Sequence, residues 1–296
     1  MTQLVAAEAF APAKVNLFLH VGAPQPDGFH PLSSLMVFAD VGDRLTLEPA
    51  EALSLTIDGP FGDGLSGAED NLVLRAVRGL FAHLGQPPAS LRLTLTKTLP
   101  IAAGLGGGTS DAGAALRLVR DHLSLSVDDE RLEAIAAALG ADGAACFRGR
   151  PVIAEGRGER LTPAPALPEL DAVLVNPRAP SPTGAVYNAY DEAGAPGSGD
   201  RPDLPEAFED AVEAAAFFAA CRNDLEAPAV ALTPVIGDVL ETLRGEPETL
   251  MARVSGSGAT CFALCAGDFE AESLAERIER LRPDWWVRRC RLGRGR

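Results

Sequence analysis

The sequence predicts an α+β chain built as two domains, and three observations carry that expectation. Segments of alternating aliphatic residues, read as strands, are interleaved with helical stripes in a mixed order. After Glu159 the texture changes: 162–168 holds three prolines, and 193–205 is rich in Gly, Pro and Asp and reads as a mobile loop. Beyond those loops the helix and strand patterns resume, and 296 residues suffice for two domains of ordinary size. The division is expected near residue 158, into 1–158 and 159–296.

The first strand comes from Val15, Leu17, Leu19 and Val21, which alternate with Lys14, Asn16, Phe18 and His20. Period two puts Lys14 and Asn16 on the face opposite the aliphatic row. Pro24, Pro26 and Asp27-Gly28 make 23–30 a loop, and further strands are expected at 44–48, 53–57 and 91–95. Asp70 is placed to cap a helix with Val73, Val77, Leu80 and Leu84 on one stripe and Gly85 as its stop. Ala112, Ala115, Leu116 and Val119 mark a second helix. Leu132, Ile135, Ala136 and Leu139 mark a third that ends at Gly140. In the last third, Ile236, Val239, Leu240 and Leu243 stripe a helix ahead of a strand at 260–265. Ala271, Leu274, Ala275 and Ile278 stripe another, before a final strand near 286–292.

Composition narrows the function. A 47% hydrophobic and 23% charged share is that of a globular chain. The net charge of −15 and a pI near 4.7 argue against a nucleic-acid partner or an anionic membrane surface. An anionic ligand must then be held by locally placed donors. No apolar run approaches the roughly 20 residues that span a bilayer. The first ten residues lack the pattern of a secretory signal. Five cysteines without paired spacing fit reduced thiols, so a cytoplasmic protein is expected. Cys261 and Cys265 lie in an apolar stretch with no second Cys/His cluster and read as core, so no dedicated metal site is expected. Arg288, Arg289, Arg291, Arg294 and Arg296 read as a solvated tail.

Of 26 basic residues only Lys14 and Lys97 are lysines. A compact ammonium differs from a planar guanidinium in size and donor geometry, so both positions are candidates for sites that need a point charge. Each falls beside a motif. The strongest is Pro100-Ile-Ala-Ala-Gly104-Leu-Gly106-Gly107-Gly108-Thr109-Ser110-Asp111, between an expected strand and an expected helix. Glycines let backbone N–H groups approach an anion, and the helix N-terminus behind them adds positive potential. No Lys-Ser/Thr follows the last glycine, so this is not a Walker A loop. Thr109 also stands where a dinucleotide fingerprint started at Gly104 needs its last glycine.

The loop resembles the phosphate loop of the galactokinase–homoserine kinase–mevalonate kinase–phosphomevalonate kinase (GHMP) superfamily. Leu139-Gly-Ala-Asp142 and Val254-Ser-Gly-Ser-Gly-Ala-Thr260 extend the likeness. Ala11-Pro-Ala-Lys-Val-Asn-Leu17 with Asp27-Gly-Phe-His30 narrows it to the kinases of a cytidine-diphosphate-linked methylerythritol. The resemblance implies a GHMP-kinase-like architecture: a ribosomal-protein-like N-terminal nucleotide-binding domain and a ferredoxin-like C-terminal domain, with the active site in the cleft between them. It also implies transfer of the γ-phosphate of ATP, with Mg²⁺, to the tertiary 2-hydroxyl of that polyol in the non-mevalonate isoprenoid precursor pathway. The implied assembly is a monomer or weak homodimer.

Carried over by position, Lys14 and Asp142 form the implied catalytic pair. A carboxylate suits a general base toward the attacking hydroxyl, and a neighbouring cation keeps it ionised and offsets phosphoryl charge. Read without the resemblance, Asp142 follows Gly140 at a helix end and reads first as a capping residue; the motif reverses that order. Asn16, Phe29, His30 and Tyr187 match positions around the substrate's cytosine, whose flat faces suit aromatic rings and whose edge suits amide and imidazole groups. Asn71, Leu72 and Lys97 match adenine-side positions. Pro100, Gly104, Leu105, Gly106, Gly107, Gly108, Thr109 and Ser110 match the phosphate loop. Two departures stand out. Phe29 occupies a position where the family usually has Tyr. Gly143-Ala144 replaces the usual Val-Pro after Asp142, which leads one to expect a base held less firmly.

Overall fold

The computed structural model describes residues 7–63, 65, 67, 70–194 and 197–293. These form two compact units. One consists of the chain up to Ala13, Gly42–Ile101 and Gly106–Gly149; the other consists of Lys14–Val41, Ala102–Leu105 and the chain from Arg150 onward. The units are therefore not separated by one point in the chain. Strands β1 (Ala7–Val21) and β2 (Leu32–Pro49) each contribute to both, and they pair with each other. Residues 11–21 of β1 are buried without interruption, so Lys14, Asn16 and His20 lie inside although they alternate with an aliphatic row.

In the first unit, the second half of β2 pairs antiparallel with β4 (Leu91–Thr96), which pairs parallel with β3 (Ser54–Asp58). A parallel pair needs a crossover, and α1 (Leu72–His83) supplies it. α2 (Gly107–His122), α3 (Asp129–Ala137) and α4 (Gly143–Arg148) follow. Leu45, Leu47, Leu93 and Leu95 from the sheet meet Val77, Leu80, Leu116 and Val119 from the helices in one core. The α1 stripe falls as the periodicity predicts, but its cap is Asn71 instead of Asp70: the Asn71 Oδ1 accepts the Val73 N–H at 3.0 Å. α3 is capped by Asp128, whose carboxylate accepts the Arg131 N–H at 2.8 Å, and it ends at Ala137, short of Gly140.

The second unit holds β5 (Val152–Gly156), β6 (Arg160–Pro163), β7 (Leu170–Asn176), α5 (Thr183–Glu192), α6 (Ala211–Ala220), α7 (Glu226–Leu232), α8 (Val235–Arg244), β8 (Thr249–Val254), β9 (Cys261–Cys265), α9 (Asp268–Leu281) and β10 (Trp286–Leu292). Its main sheet runs β10-β7-β9-β8, all antiparallel. That is the 4-1-3-2 order of a ferredoxin-like β-α-β-β-α-β unit, with helices over one face. β5 pairs with Leu32–Met36 of β2 and with β6. Val173, Val175, Ile236, Leu240, Leu274 and Ile278 share the core.

Two expectations change here. Arg289 and Arg291 are not a solvated tail: they lie in β10 and pair with Asp268, Glu169 and Asp171. Arg294 and Arg296 lie outside the described residues. Nor is the loop at 193–205 loose along its length. Gly197 N–H donates to the Tyr190 hydroxyl at 2.7 Å, and the Asp200 carbonyl faces His20 Nδ1 at 2.8 Å; Ala195 and Pro196 lie outside the described residues. Cys261 and Cys265 are fully buried in β9, as core residues. Among the described residues no helix is long and apolar enough to cross a membrane.

Candidate active site

The glycine-rich segment leads into α2. Gly106 caps the helix with a left-handed backbone (φ 63°), and the first turn, Gly107–Ser110, carries no acidic side chain. The backbone N–H groups at the start of such a turn have no intrahelical partner and are open to an anion, whereas the Ser110 N–H already donates to the Gly106 carbonyl at 2.9 Å. The Thr109 and Ser110 hydroxyls are both engaged by backbone carbonyls. Thr109 donates to the Gly106 carbonyl at 2.8 Å, and Ser110, fully buried, donates to the Pro12 carbonyl at 2.7 Å. Ser110 thus ties the helix start to β1.

Lys97 lies inside the first unit at 3% exposure, its ammonium 2.5 Å from Asp43 Oδ2 and 2.9 Å from Asp111 Oδ2. Asp43 Oδ1 accepts the Thr98 and Leu99 N–H groups, so the network locks the chain entering the loop. Burial opposes the lysine's charge, but Asp111 and Asp43 outweigh it and leave its pKa raised. Asp111 is pushed up to about 7, chiefly by burial and further by Asp43, with Lys97 pulling the other way. Its second oxygen is buried without a hydrogen-bond partner. The Lys97 backbone is occupied as well, its N–H donating to Asp58 and its carbonyl accepting from Phe61. Lys97 is therefore an internal brace of the loop. Leu72 opens α1 beside Gly108, where an added Cβ would lie 3.3 Å from Leu72 Cδ1, and Pro100 is buried.

Asp142 stands at the N-cap position of α4 with helical dihedrals (φ −85°, ψ 0°), and its side chain makes no capping hydrogen bond. The capping alternative is thereby removed. Gly143 does not loosen this residue. A Cβ there would meet the Ala136 carbonyl oxygen at 2.0 Å, so glycine is what permits α3 and α4 to approach. Hydrogen bonds from Gly143 N–H to Gly140 and from Cys146 N–H to the Asp142 carbonyl hold the backbone on both sides. Cys146, one turn on, was not anticipated: its Sγ lies 3.4 Å from Thr109 Oγ1, joining α4 to the first turn of α2.

The second unit assembles the other residues. Lys14 is 3% exposed; its Nζ donates to Asn16 Oδ1 at 2.6 Å and to the Gly104 carbonyl at 3.3 Å, and its N–H donates to the Leu105 carbonyl at 2.8 Å. Asn16 is equally buried and passes its amide on to Ser34 Oγ at 2.7 Å, so it orients Lys14. Ser255 Oγ also donates to the Gly104 carbonyl, at 3.0 Å. Gly104 has φ 75°, and a Cβ there would sit 2.1 Å from the Ser255 carbonyl oxygen. The 255–259 motif therefore packs on the loop.

His30 and Tyr187 come together, their rings 5.1 Å apart. His30 Nδ1 faces the Gly22 carbonyl at 2.9 Å and Nε2 faces Asp191 at 3.3 Å. Phe29, by contrast, is 55% exposed.

Comparison with known proteins fits this geometry. Residues 71–150 match the GHMP kinases N terminal domain and residues 202–283 match the GHMP kinases C terminal domain. Fold and loop thus define a GHMP kinase. The chain is 65% identical over 291 residues to the 4-diphosphocytidyl-2-C-methyl-D-erythritol kinase of Caulobacter vibrioides, covering 98% of this chain and 99% of that one. A crystal structure of 4-(cytidine 5'-diphospho)-2C-methyl-D-erythritol kinase aligns with TM-score 0.76 at 35% identity, over 97% of this chain and 100% of the other. The homoserine kinase of Cytophaga hutchinsonii shares the fold, with TM-score 0.71 at 18% identity over 100% and 96% of the two chains. The chain belongs to the 4-diphosphocytidyl-2-C-methyl-D-erythritol kinase family.

Proposed function

We propose that this kinase transfers the γ-phosphate of ATP to the 2-hydroxyl of 4-diphosphocytidyl-2-C-methyl-D-erythritol, a step in the methylerythritol phosphate route to isoprenoid precursors. The relatives' names support the substrate. The observation that carries the chemistry is the Lys14 ammonium lying on the Gly104 carbonyl, at the glycine loop itself.

Backbone amides of the loop and the first turn of α2 hold the triphosphate. Asp142 accepts the hydroxyl proton as the acceptor oxygen attacks, and Lys14 offsets charge on the transferring group. Asn16 serves by fixing Lys14. Asn16, Phe29, His30 and Tyr187 hold the cytosine; Asn71, Leu72 and the Lys97 stem lie on the adenine side. Among the described residues no cluster of three His, Cys, Asp or Glu side chains is arranged to hold a metal ion. Mg²⁺ is therefore read as part of the nucleotide substrate, ligated by phosphates and water. The stretches 1–158 and 159–296 are read as an ATP-binding and a second-substrate domain, with Phe29 and His30 of the former also assigned to the cytosine, in a cytoplasmic enzyme.

The test is Asp142→Asn. Loss of the base is expected to lower kcat by roughly a hundredfold or more, with ATP affinity held within a factor of about two. Unchanged turnover would remove Asp142 from the mechanism.

A further inference from the structure

The β5–β6 hairpin pairs from Glu155 and Arg160 outward, which leaves 156–159 as its turn. Arg157 at the tip carries its guanidinium 4.4 Å from the centre of the Phe29 ring. The same guanidinium is ion-paired with Asp27. Asp27 in turn accepts the Phe29 N–H at 3.1 Å through its other oxygen. That backbone hydrogen bond, and then Arg157, hold the Asp27 carboxyl below its ordinary range. Arg157 itself is braced by its N–H, which donates to Glu159 at 2.5 Å. One arginine therefore spans an exposed aromatic ring and the carboxylate that shapes the ring's own turn.

An exposed phenylalanine on a loop has a low barrier to rotation and must lose that freedom when a ligand stacks on it. A tyrosine could anchor itself through its hydroxyl; Phe29 has none. Arg157 supplies the missing constraint from outside, through the ring face.

We propose that Arg157 is a positioning and specificity-determining residue: its guanidinium, held by Asp27, fixes the plane of Phe29 so that the ring stacks on a pyrimidine base. This rests on reading Phe29 as a surface for the substrate's cytosine.

The experiment compares KM for the cytidylated substrate and for ATP in Arg157→Ala, Phe29→Ala and the double variant. Losing one exposed cation–π contact is expected to raise KM for the cytidylated substrate about three- to fivefold. ATP KM should stay unchanged. Phe29→Ala is expected to raise it more, and the double variant should match Phe29→Ala alone, because Arg157 acts only through the ring. An effect of Arg157→Ala that persists in the Phe29→Ala background would overturn the proposal by showing a direct contact. So would a normal KM in Arg157→Ala alongside a raised one in Phe29→Ala, with the cytosine reading left intact. Normal KM in both single variants would instead remove that reading.

Discussion

The Lys97 ammonium lies 2.9 Å from Asp111 on the first turns of α2, while its other side meets Asp43 of β2 at 2.5 Å. One buried cation thus joins the strand before the glycine loop to the helix after it. Gly107 leaves room for this bridge: a Cβ there would come within 3.1 Å of the Lys97 Nζ. The second lysine of the chain is explained by that geometry, since a compact ammonium reaches two carboxylates where a planar fork would not fit.

Lys97→Met should therefore act first on stability. Removing the cation leaves two buried carboxylates facing each other, and breaking a buried ion pair costs about 3–5 kcal/mol. Urea unfolding would show a lower midpoint with an unchanged slope. Full stability would mean that the bridge contributes little.

Asp111 gives the bridge a pH dependence. Its folded pKa is about 7 against an ordinary 3.8, so between those values the folded state holds more protons than the unfolded one. Stability contributed by this group is present at low pH and falls as pH rises through the folded pKa. Asp111→Asn keeps the shape and removes the titration. Its unfolding free energy relative to the parent chain should rise from about pH 5 to about pH 8. A constant difference would show that Asp111 does not titrate in that window.

Lys14→Met should lower kcat by about two orders of magnitude while ATP binds nearly as before, because transition-state charge is what the ammonium offsets. Rapid-quench measurement of the phosphoryl-transfer step checks this. A loss confined to KM for ATP would make Lys14 a binding residue.

Gly104→Ala should disturb the loop from the other side. The left-handed backbone costs an alanine about 1–2 kcal/mol. Its Cβ would also displace the Ser255 carbonyl. KM for ATP is expected to rise severalfold, read by initial rates across ATP concentration. Wild-type KM would show that the 255–259 turn adjusts freely.

Strong periodicity made much of this legible. The stripes of α1, α8 and α9 fall where the apolar spacing puts them, because each buries one face; α2 carries its expected apolar residues but is buried all round from Ser110 to Leu116. α4 was missed: it is six residues long, Gly143, Ala144, Ala145 and Cys146 are all buried, and a short helix covered on every side has no stripe. The length of β1 and β2 was missed for a related reason, since continuous burial hides alternation. At the site, the residue types were readable but their partners were not. Asn16 and Lys97 were readable as polar candidates, but not that Asn16 bonds Lys14 and Ser34 or that Lys97 pairs with Asp43 and Asp111. Those partners are distant in sequence, and no local pattern joins them.

The activity itself is most directly tested by offering ATP with three acceptor alcohols: the cytidylated methylerythritol, mevalonate and homoserine. Following ADP release in a coupled assay, we expect turnover with the first and background rates with the other two. Equal turnover of mevalonate or homoserine, or none with the cytidylated polyol, would contradict the account.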